Sequence, residues 1–389
     1  MRHITIENGK IDLLPLIPEK TESGYDIKIE KFFKGKEEWL RIYYVHPRKP
    51  ELKIRRFVDA KMFGSLLGQM QAEGTKVGKK FRLEFANKLI HEHKDFVESL
   101  EALGIPRSKI SFYLIDSGSE DDESLKKYSK RFKKIIGFSP KIYHHHSMRG
   151  GVGFKSIIRN TILTELVLKS MDLFRKLIPK YSGKIELISN SFFAKLLTGD
   201  GTLDIDKRIT PRVSIRIVDR NLEYLKDYEK IFKSLGFNWT YLDEKRISVK
   251  ASCSFENLLY LYKIRAFKNT NNWNKLLVAI GLFLKGRRIR TLLRFLDLEK
   301  IDSFTSFYIR DKYSVCLRSA NDWLHNMRRK GYIRCVDRRN RPYKYQLTKK
   351  AISLCKILKE WKRDLIKLME LKKIYDLCEL LESLKVRAN

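Results

Sequence analysis

The sequence lacks the cysteine patterns of a disulfide framework or a zinc site. No C-x-x-C pair occurs, and the five cysteines all lie beyond residue 250, at Cys253, Cys316, Cys335, Cys355 and Cys378. An odd number of widely spaced cysteines fits neither a set of disulfides nor a thiolate metal cluster. We therefore expect mostly buried thiols in a protein of a reducing compartment.

Long apolar runs are also missing. No stretch reaches the ~18 residues that are needed to span a bilayer, and the opening residues, MRHITIENGK, contain no apolar signal-peptide core. The sequence predicts no membrane partner. It predicts a cytoplasmic protein.

Negative charge is scarce. The chain of 389 residues has 81 Lys and Arg against 46 Asp and Glu, which gives a net charge of +35 and a pI near 9.9. Because such an excess attracts any polyanion, it favours a nucleic-acid partner without indicating which one. The surface of a thermostable protein is also rich in charge, but such surfaces usually have similar numbers of positive and negative side chains. The 43% of apolar residues excludes a wholly disordered chain.

An internal repeat is the main feature that is present. The stretch LLGQMQAEG (residues 66–74) returns as FAKLLTGDG (residues 193–201), so that Glu73 and Asp200 each precede a glycine. Each copy leads into a strand-like segment, RLEFAN or RVSIRIVD, and then into an amphipathic helix that ends in Leu-Gly. Two such units in one chain indicate a duplicated α+β fold.

The motif residues predict how the two helices pair. Gly68 and Ala72 lie four residues apart, so one helical face has no bulk and permits close approach of a partner backbone. A glycine after each acid suggests a left-handed turn at the end of the helix. Paired helices would bring Glu73 and Asp200 side by side, and carboxylates beside free carbonyls suit Mg²⁺ or Mn²⁺.

These motifs resemble the LAGLIDADG family of homing endonucleases and their relatives. The second copy keeps the aspartate and the terminal glycine, and the first copy has Glu73 in place of the aspartate. Lys195 departs from the pattern at the position that Gly68 occupies in the first copy, which predicts looser or tilted packing there. The resemblance covers roughly residues 56–270.

The resemblance implies a fold and a reaction. Two αββαββα-type repeats would form a pseudo-symmetric saddle over double-stranded DNA, with Glu73 and Asp200 as the metal ligands and catalytic acids. Lys250, on the last strand of the second repeat, is the candidate for the basic catalytic residue that family members often add near the metals. The implied activity is Mg²⁺-dependent (or Mn²⁺-dependent), site-specific hydrolysis of DNA phosphodiesters.

Strand alternation indicates which side chains would face DNA. In the second repeat, Val213, Ile215 and Ile217 form an apolar face, and the opposite face has Arg212, Ser214 and Arg216. In the first repeat, Arg82 lies on the corresponding face together with Glu84. Residues 141–160 read as a hairpin around Arg149, Gly150 and Gly151.

The segment after residue 272 looks like a winged helix-turn-helix. Residues 319–330 would be its recognition helix, with Ser319 and Asp322 as an N-terminal cap signal. Residues 334–344 would be its wing. The predicted DNA contacts are Ser319, Asn321, His325, Arg328 and Arg329 on the helix and Arg338, Arg339, Arg341 and Lys344 on the wing.

The sequence thus predicts five segments. They are a β-rich extension (1–55), two repeats (56–182 and 183–272), a winged helix (273–350) and a C-terminal helix (351–389). The last helix fits either a homodimer contact or packing on its own domain. Two alternatives to the nuclease stay open: a non-catalytic regulator resembling the WhiA-type proteins, which join a LAGLIDADG domain to a helix-turn-helix, and an RNA-splicing maturase.

Overall fold

The computed structural model describes residues 4, 6–21, 23–45, 51–74, 81–118, 120–144, 151–206, 212–237, 239–286, 289, 291–337, 339 and 341–372. The chain divides into two compact units. The first comprises residues 1–203, 214–252 and 264–272, and the second comprises residues 204–213, 253–263 and 273–389. Helices and antiparallel sheets occur together, which confirms the α+β class.

The N-terminal segment forms two small sheets. One has the order β1-β2-β6, and the other has the order β3-β4-β5. Gly35, at φ +63°, makes the tight turn between β3 and β4. The strands are β1 (Ile6–Glu7), β2 (Lys10–Asp12), β3 (Ile27–Lys34), β4 (Glu37–Tyr44), β5 (Glu51–Arg55) and β6 (Phe57–Asp59).

The first repeat places three helices around a four-stranded sheet. Its first helix begins where the Asp59 carboxylate accepts a hydrogen bond from the Met62 amide, and another is closed by Gly137 in the left-handed region. The elements are α1 (Ala60–Glu73), β7 (Leu83–Asn87), α2 (Ile90–Ala102), β8 (Ser111–Asp116), α3 (Asp122–Ile136), β9 (Lys141–His144) and β10 (Val152–Ile158).

The predicted hairpin in the first repeat is wrong. The sheet order is β7-β10-β8-β9, so β10 lies between β7 and β8, and β9 pairs with β8 in parallel. The alternating, strongly apolar β10 fills the centre of the sheet because its side chains are largely buried, whereas β9 is exposed along its length and takes the edge. Arg149 and Gly150 lie outside the described residues.

The second repeat has the same plan in fewer residues. It follows the long helix α4 (Thr161–Tyr181), and its sheet has the order β11-β12-β14-β13. The first strand was not predicted, since it follows the motif glycine directly. The elements are α5 (Glu186–Asp200), β11 (Gly201–Asp206), β12 (Arg212–Val218), α6 (Leu222–Ser234), β13 (Trp239–Asp243) and β14 (Ser248–Ser252).

The second unit contains the remaining helices and a two-stranded antiparallel sheet. Phe304 adds a single bridge to Tyr345 at the edge of that sheet. The elements are α7 (Phe255–Lys263), α8 (Asn271–Lys285), α9 (Arg294–Leu298), α10 (Ser306–Tyr313), α11 (Leu317–Arg329), β15 (Ile333–Asp337), β16 (Lys344–Leu347) and α12 (Lys349–Lys372).

Helix α12 packs on its own unit over its described length. Leu358 and Leu365 are fully buried, the Trp361 indole donates to the Leu277 carbonyl at 3.0 Å, and Tyr262 donates to Asp364 at 2.7 Å. The sequence allowed either a homodimer contact or packing on its own domain for this helix. These contacts match packing on its own domain. In the part of the chain that the structure describes, no helix is long and apolar enough to cross a membrane.

Candidate acidic pair and nucleic-acid interface

The two motif helices, α1 and α5, pack almost backbone to backbone. A Cβ atom on Gly64 would lie 2.7 Å from the Ile188 carbonyl oxygen, and one on Gly68 would fall against the Phe192 carbonyl oxygen. Contacts this short are possible only where side chains are absent. The prediction that a small-residue face lets these helices approach closely is confirmed.

The same close packing brings Glu73 against the second motif. A Cβ atom on Gly199 would lie 2.5 Å from the Ala72 Cβ, 3.1 Å from the Glu73 Cγ and 3.5 Å from its Oε1. Because Gly199 has no side chain, the Glu73 carboxylate packs against its backbone, next to Asp200. Asn87, at the end of β7, donates its Nδ2 to Glu73 Oε1 at 3.4 Å.

Asp200 lies beside a buried tyrosine of the second repeat. Tyr228 on α6 is fully buried, and its pKa is raised by burial and by the nearby carboxylates of Asp219 and Asp200. Its hydroxyl accepts from Gln71 Nε2 at 2.7 Å and donates to Asp219 Oδ2 at 3.3 Å. The hydroxyl thus links the first motif helix to the acidic end of β12.

Gln71 belongs to a buried polar network. Its Oε1 accepts from Arg175 Nη1 at 3.1 Å, and that guanidinium also bonds Asp172 at 2.7 Å and Asp227 at 3.0 Å. Both Gln71 and Arg175 are buried. Because buried polar groups are costly without partners, this network fixes the last turn of α1.

The glycines after the acids do not adopt the predicted left-handed turn. Gly74 has φ −82° and Gly201 has φ −87°, and both are extended. Each amide still bonds the carbonyl four residues earlier, at Met70 or Leu197. A Cβ atom would collide with those same residues, at 2.6 Å from the Met70 carbonyl oxygen and 2.5 Å from that of Leu197. The glycines are needed for space, and after Asp200 the chain goes directly from helix α5 into β11.

Lys195 does not loosen the helix pair. Its Nζ lies 2.8 Å from Glu92 Oε2 and also bonds Asp95, both on α2. The side chain leaves the interface along the flank of α1, and its Cβ still lies 2.9 Å from where a Cβ on Gly68 would be. The looser packing expected at Lys195 is not found, because the lysine is drawn away to carboxylates of the other repeat.

The outward faces of the two sheets differ in charge. In the first repeat, the buried Glu84 carboxylate bonds Arg82 at 2.9 Å and Lys155 at 2.7 Å. In the second repeat, Arg216 lies opposite Lys250 across β12 and β14. Arg212 is exposed, Ser214 is half-buried, and Val213, Ile215 and Ile217 are buried as the alternation predicts.

Lys250 lies on the third strand of its sheet, with β12 between it and β11. Its cross-strand partners are Arg216 and Tyr241, which share its face. No hydrogen bond or ion pair among the described residues joins Lys250 to Glu73 or Asp200. The structure therefore places Lys250 with the sheet surface.

The donor set at the motif ends suits a hard divalent cation. Glu73 and Asp200 supply two carboxylates, and the absence of a side chain at Gly199 lets Glu73 pack directly against the second motif. Mg²⁺ is commonly held by one or two carboxylates, with water and phosphate oxygens completing its octahedron. Within the described ranges, no group of three or more His, Cys, Asp or Glu is arranged for a metal.

In the second unit, α11 begins two residues earlier than predicted. Cys316 is its N-cap, with no side-chain cap to the backbone, so the predicted cap at Ser319 is wrong. Ser319 lies inside the helix, where its hydroxyl is 3.2 Å from Cys316 Sγ. All predicted contact residues that are described are exposed: Ser319, Asn321, His325, Arg328, Arg329, Arg339, Arg341 and Lys344. Arg338 lies outside the described residues.

Sequence reasoning missed the groups that surround the acids. Asn87 and Asp219 occupy matching places, each ending a strand just before an amphipathic helix. Aligning the two repeats past the motif would have paired them. Tyr228 and Arg175 had no sequence signal, since a tyrosine and an arginine on amphipathic helices are ordinarily surface residues.

Comparison with known proteins finds likenesses of shape only. No protein-family model matches the sequence, and no curated protein is significantly similar to it. Among solved structures, the I-SmaMI LAGLIDADG homing endonuclease bound to cleaved DNA is similar with a TM-score of 0.31 and 11% identity, covering 61% of this chain and 92% of that one.

Two more solved structures show the same level of likeness. Full-length DUF199/WhiA from Thermatoga maritima has a TM-score of 0.31 and 13% identity, covering 78% of this chain and 92% of that one. The I-LtrWI LAGLIDADG homing endonuclease bound to target DNA has a TM-score of 0.28 and 12% identity, covering 58% of this chain and 89% of that one. Scores this low assign the chain neither a family nor a function.

Proposed function

We propose that this chain is a metal-dependent, site-specific endonuclease of double-stranded DNA. The observation that carries the proposal is the contact between the motif ends, where Glu73 lies against Gly199 beside Asp200. Each acid ends a helix, where unpaired carbonyls and the negative end of the helix dipole favour a cation. Two such ends at one place make an oxygen-rich site of negative charge in a strongly basic chain.

The chain's own residues prepare this site. Glu73 and Asp200 would hold Mg²⁺ or Mn²⁺, which supplies an activated water and stabilises the leaving oxygen of a phosphodiester. Asn87 orients Glu73 through its amide. Tyr228 stays protonated because its pKa is raised, so it remains a donor beside the acids and does not add charge to them.

The two sheets would bind the duplex on either side of the acids as a pseudo-symmetric saddle. Residues that alternate outward along β12 and β14 present Arg216 and Lys250, and the first sheet presents Arg82 and Lys155. Cations along a groove neutralise phosphates, and side chains on strands reach base edges.

The second unit would add a winged-helix contact. Helix α11 has Asn321, His325, Arg328 and Arg329 exposed, and the strands β15 and β16 are joined by a basic turn. A helix of this kind is suited to the major groove, and a basic turn is suited to phosphate.

Cutting of a randomised duplex library, with the ends read by sequencing, tests the proposal. In Mg²⁺ we expect selective cuts by the wild type and none by Glu73→Gln or Asp200→Asn, with DNA binding retained in both. Glu123→Gln, which alters an exposed acid paired with Lys127 on α3, is the matched control and should cut normally.

A non-cleaving DNA-binding regulator is the second candidate. The separate C-terminal unit with its exposed basic helix favours it, because one more recognition helix adds specificity and no chemistry. Selective binding to duplexes without cuts in Mg²⁺ or Mn²⁺, unchanged by Glu73→Gln and Asp200→Asn, would establish the regulator in place of the nuclease.

A further inference from the structure

Two large aromatic side chains stand on the outward face of the second sheet. Trp239 and Tyr241 on β13 are 53% and 52% exposed, and their rings stack with centroids 6.3 Å apart and planes 16° from parallel. Residues two apart on a strand point to one side, so the pair shares a single face. Exposed large aromatics on the solvent side of a strand need an explanation, since ordinary alternation would turn them inward.

The neighbours of the pair are cationic or small and polar. Tyr241 lies opposite Lys250, which lies opposite Arg216, and Trp239 lies opposite Ser252 and then Ser214. Directly opposed residues of antiparallel strands share a face. The buried face of the same strands has Ile215 and Ala251. An aromatic platform therefore stands beside two positive charges at the edge strand of the sheet.

We propose that Trp239 and Tyr241 form a stacking platform for an unpaired nucleobase, with Arg216 and Lys250 binding the adjoining phosphates. The inference rests on the proposed nucleic-acid function and narrows its substrate class to nucleic acid with at least one unstacked base beside the bound duplex. Aromatic rings take any base, because every base has a π-face, while neighbouring cations follow the backbone.

An intact duplex does not fit this platform. Its bases are stacked and paired, so an aromatic ring can touch base edges, sugar and phosphate but cannot stack on a base unless a step is first unstacked. Trp, Tyr and Arg are also common in protein interfaces, but here the aromatic pair is next to Arg216 and Lys250 in a chain of net charge +35. The charge favours a polyanion over a protein.

Fluorescence anisotropy with the full-length chain tests the platform. The probes are a blunt duplex, the same duplex with a central run of unpaired thymidines, and oligo(dT). For Trp239→Ala we expect binding to the two probes with unpaired bases to weaken by about 5- to 150-fold, while the blunt duplex binds as before. Phe33→Ala, which removes another exposed aromatic, 73% exposed on β3, is the control and should change nothing.

Tryptophan fluorescence gives a second readout. Oligo(dT) should quench the wild-type emission, and Trp239→Phe should lose most of that quenching while binding more tightly than Trp239→Ala, because a phenyl ring still stacks. Equal losses on all three probes, or no loss on any, would overturn the platform. If the wild type binds no blunt duplex but still binds oligo(dT) through Trp239, the duplex-cleaving function fails and the platform stands.

Discussion

The two repeats share a motif helix, a following strand and a second helix, but they differ at matching positions. Counting back from the glycine that follows the second helix, Gly104 or Gly236, Glu84 matches Arg216 and Asn87 matches Asp219. The first sheet therefore has an acid that neutralises its own cations, whereas the second has a cation there. The two repeats thus have matching strands, but the side chains at matching positions differ in charge.

The helix pair shows the same inequality. Gly68 in the first motif matches Lys195 in the second, so at this position α1 has no side chain and α5 has a long one. Lys195 bonds Glu92 and Asp95 on α2, while Gln71 of the first motif bonds Tyr228 on α6. Each motif helix is thus anchored to the other repeat, once by charge and once by neutral hydrogen bonds.

Lys195→Met should have the largest effect on stability. It leaves Glu92, only 4% exposed, without its cation, and removing one partner of a buried pair costs about 3–5 kcal/mol. We expect a correspondingly lower free energy of unfolding in urea. Lys94→Met, which removes an exposed ion pair with Glu98 on α2, should lower the free energy of unfolding by less than about 1 kcal/mol. Equal losses in both variants would contradict a stabilising role of the buried pair between Lys195 and Glu92.

His93 should make the first repeat sensitive to acid. Burial lowers the pKa of His93 to about 4, whereas an unfolded histidine titrates near 6.5. Between pH 6.5 and 4, His93 binds a proton in the unfolded chain but stays neutral in the folded chain. The free energy of unfolding therefore decreases as the pH falls through this range, by about 3 kcal/mol in total.

The second repeat supplies the control for this prediction. Its matching residue is the buried Leu225, so His93→Leu should remove this share of the acid sensitivity between pH 6.5 and 4. The free energy of unfolding, measured at several pH values in both proteins, checks it. Parallel pH profiles would show that His93 is not the group responsible.

Gly68→Ala tests the close approach of the helices. Its Cβ would meet the Phe192 carbonyl and the Lys195 Cβ, and overpacking a tight contact costs about 1–3 kcal/mol. Gly183→Ala meets no atom within 4 Å and should be neutral or slightly stabilising. Thermal unfolding of the two variants decides whether the motif glycine is there for packing.

Glu84→Gln should have the smallest effect on function, because it acts on binding and not on chemistry. It keeps the size of the buried side chain, removes its negative charge, and frees Arg82 and Lys155 for phosphate. We expect tighter binding to blunt duplex and a salt dependence steeper by about one to two units. An unchanged salt slope would show that this face does not contact DNA.

Much of this arrangement could be predicted from the sequence. The duplicated motif, with its small residues and terminal acids, indicated the paired helices, and alternation indicated the buried face of β12. The order of the first sheet could not be predicted, because local patterns near residues 141–158 do not reveal that β10 enters between β7 and β8. The partners of Lys195 and Gln71 lie far away in the chain, so only the fold reveals them.

Occupancy of the acidic pair by a divalent metal tests the central claim most directly. Mn²⁺ would be titrated into the wild type and into the Glu73→Gln, Asp200→Asn double variant, with bound metal followed by electron paramagnetic resonance in the presence of blunt duplex. We predict a site in the wild type that the double variant loses while it still binds the duplex. Equal Mn²⁺ binding by both proteins would contradict a metal site at Glu73 and Asp200.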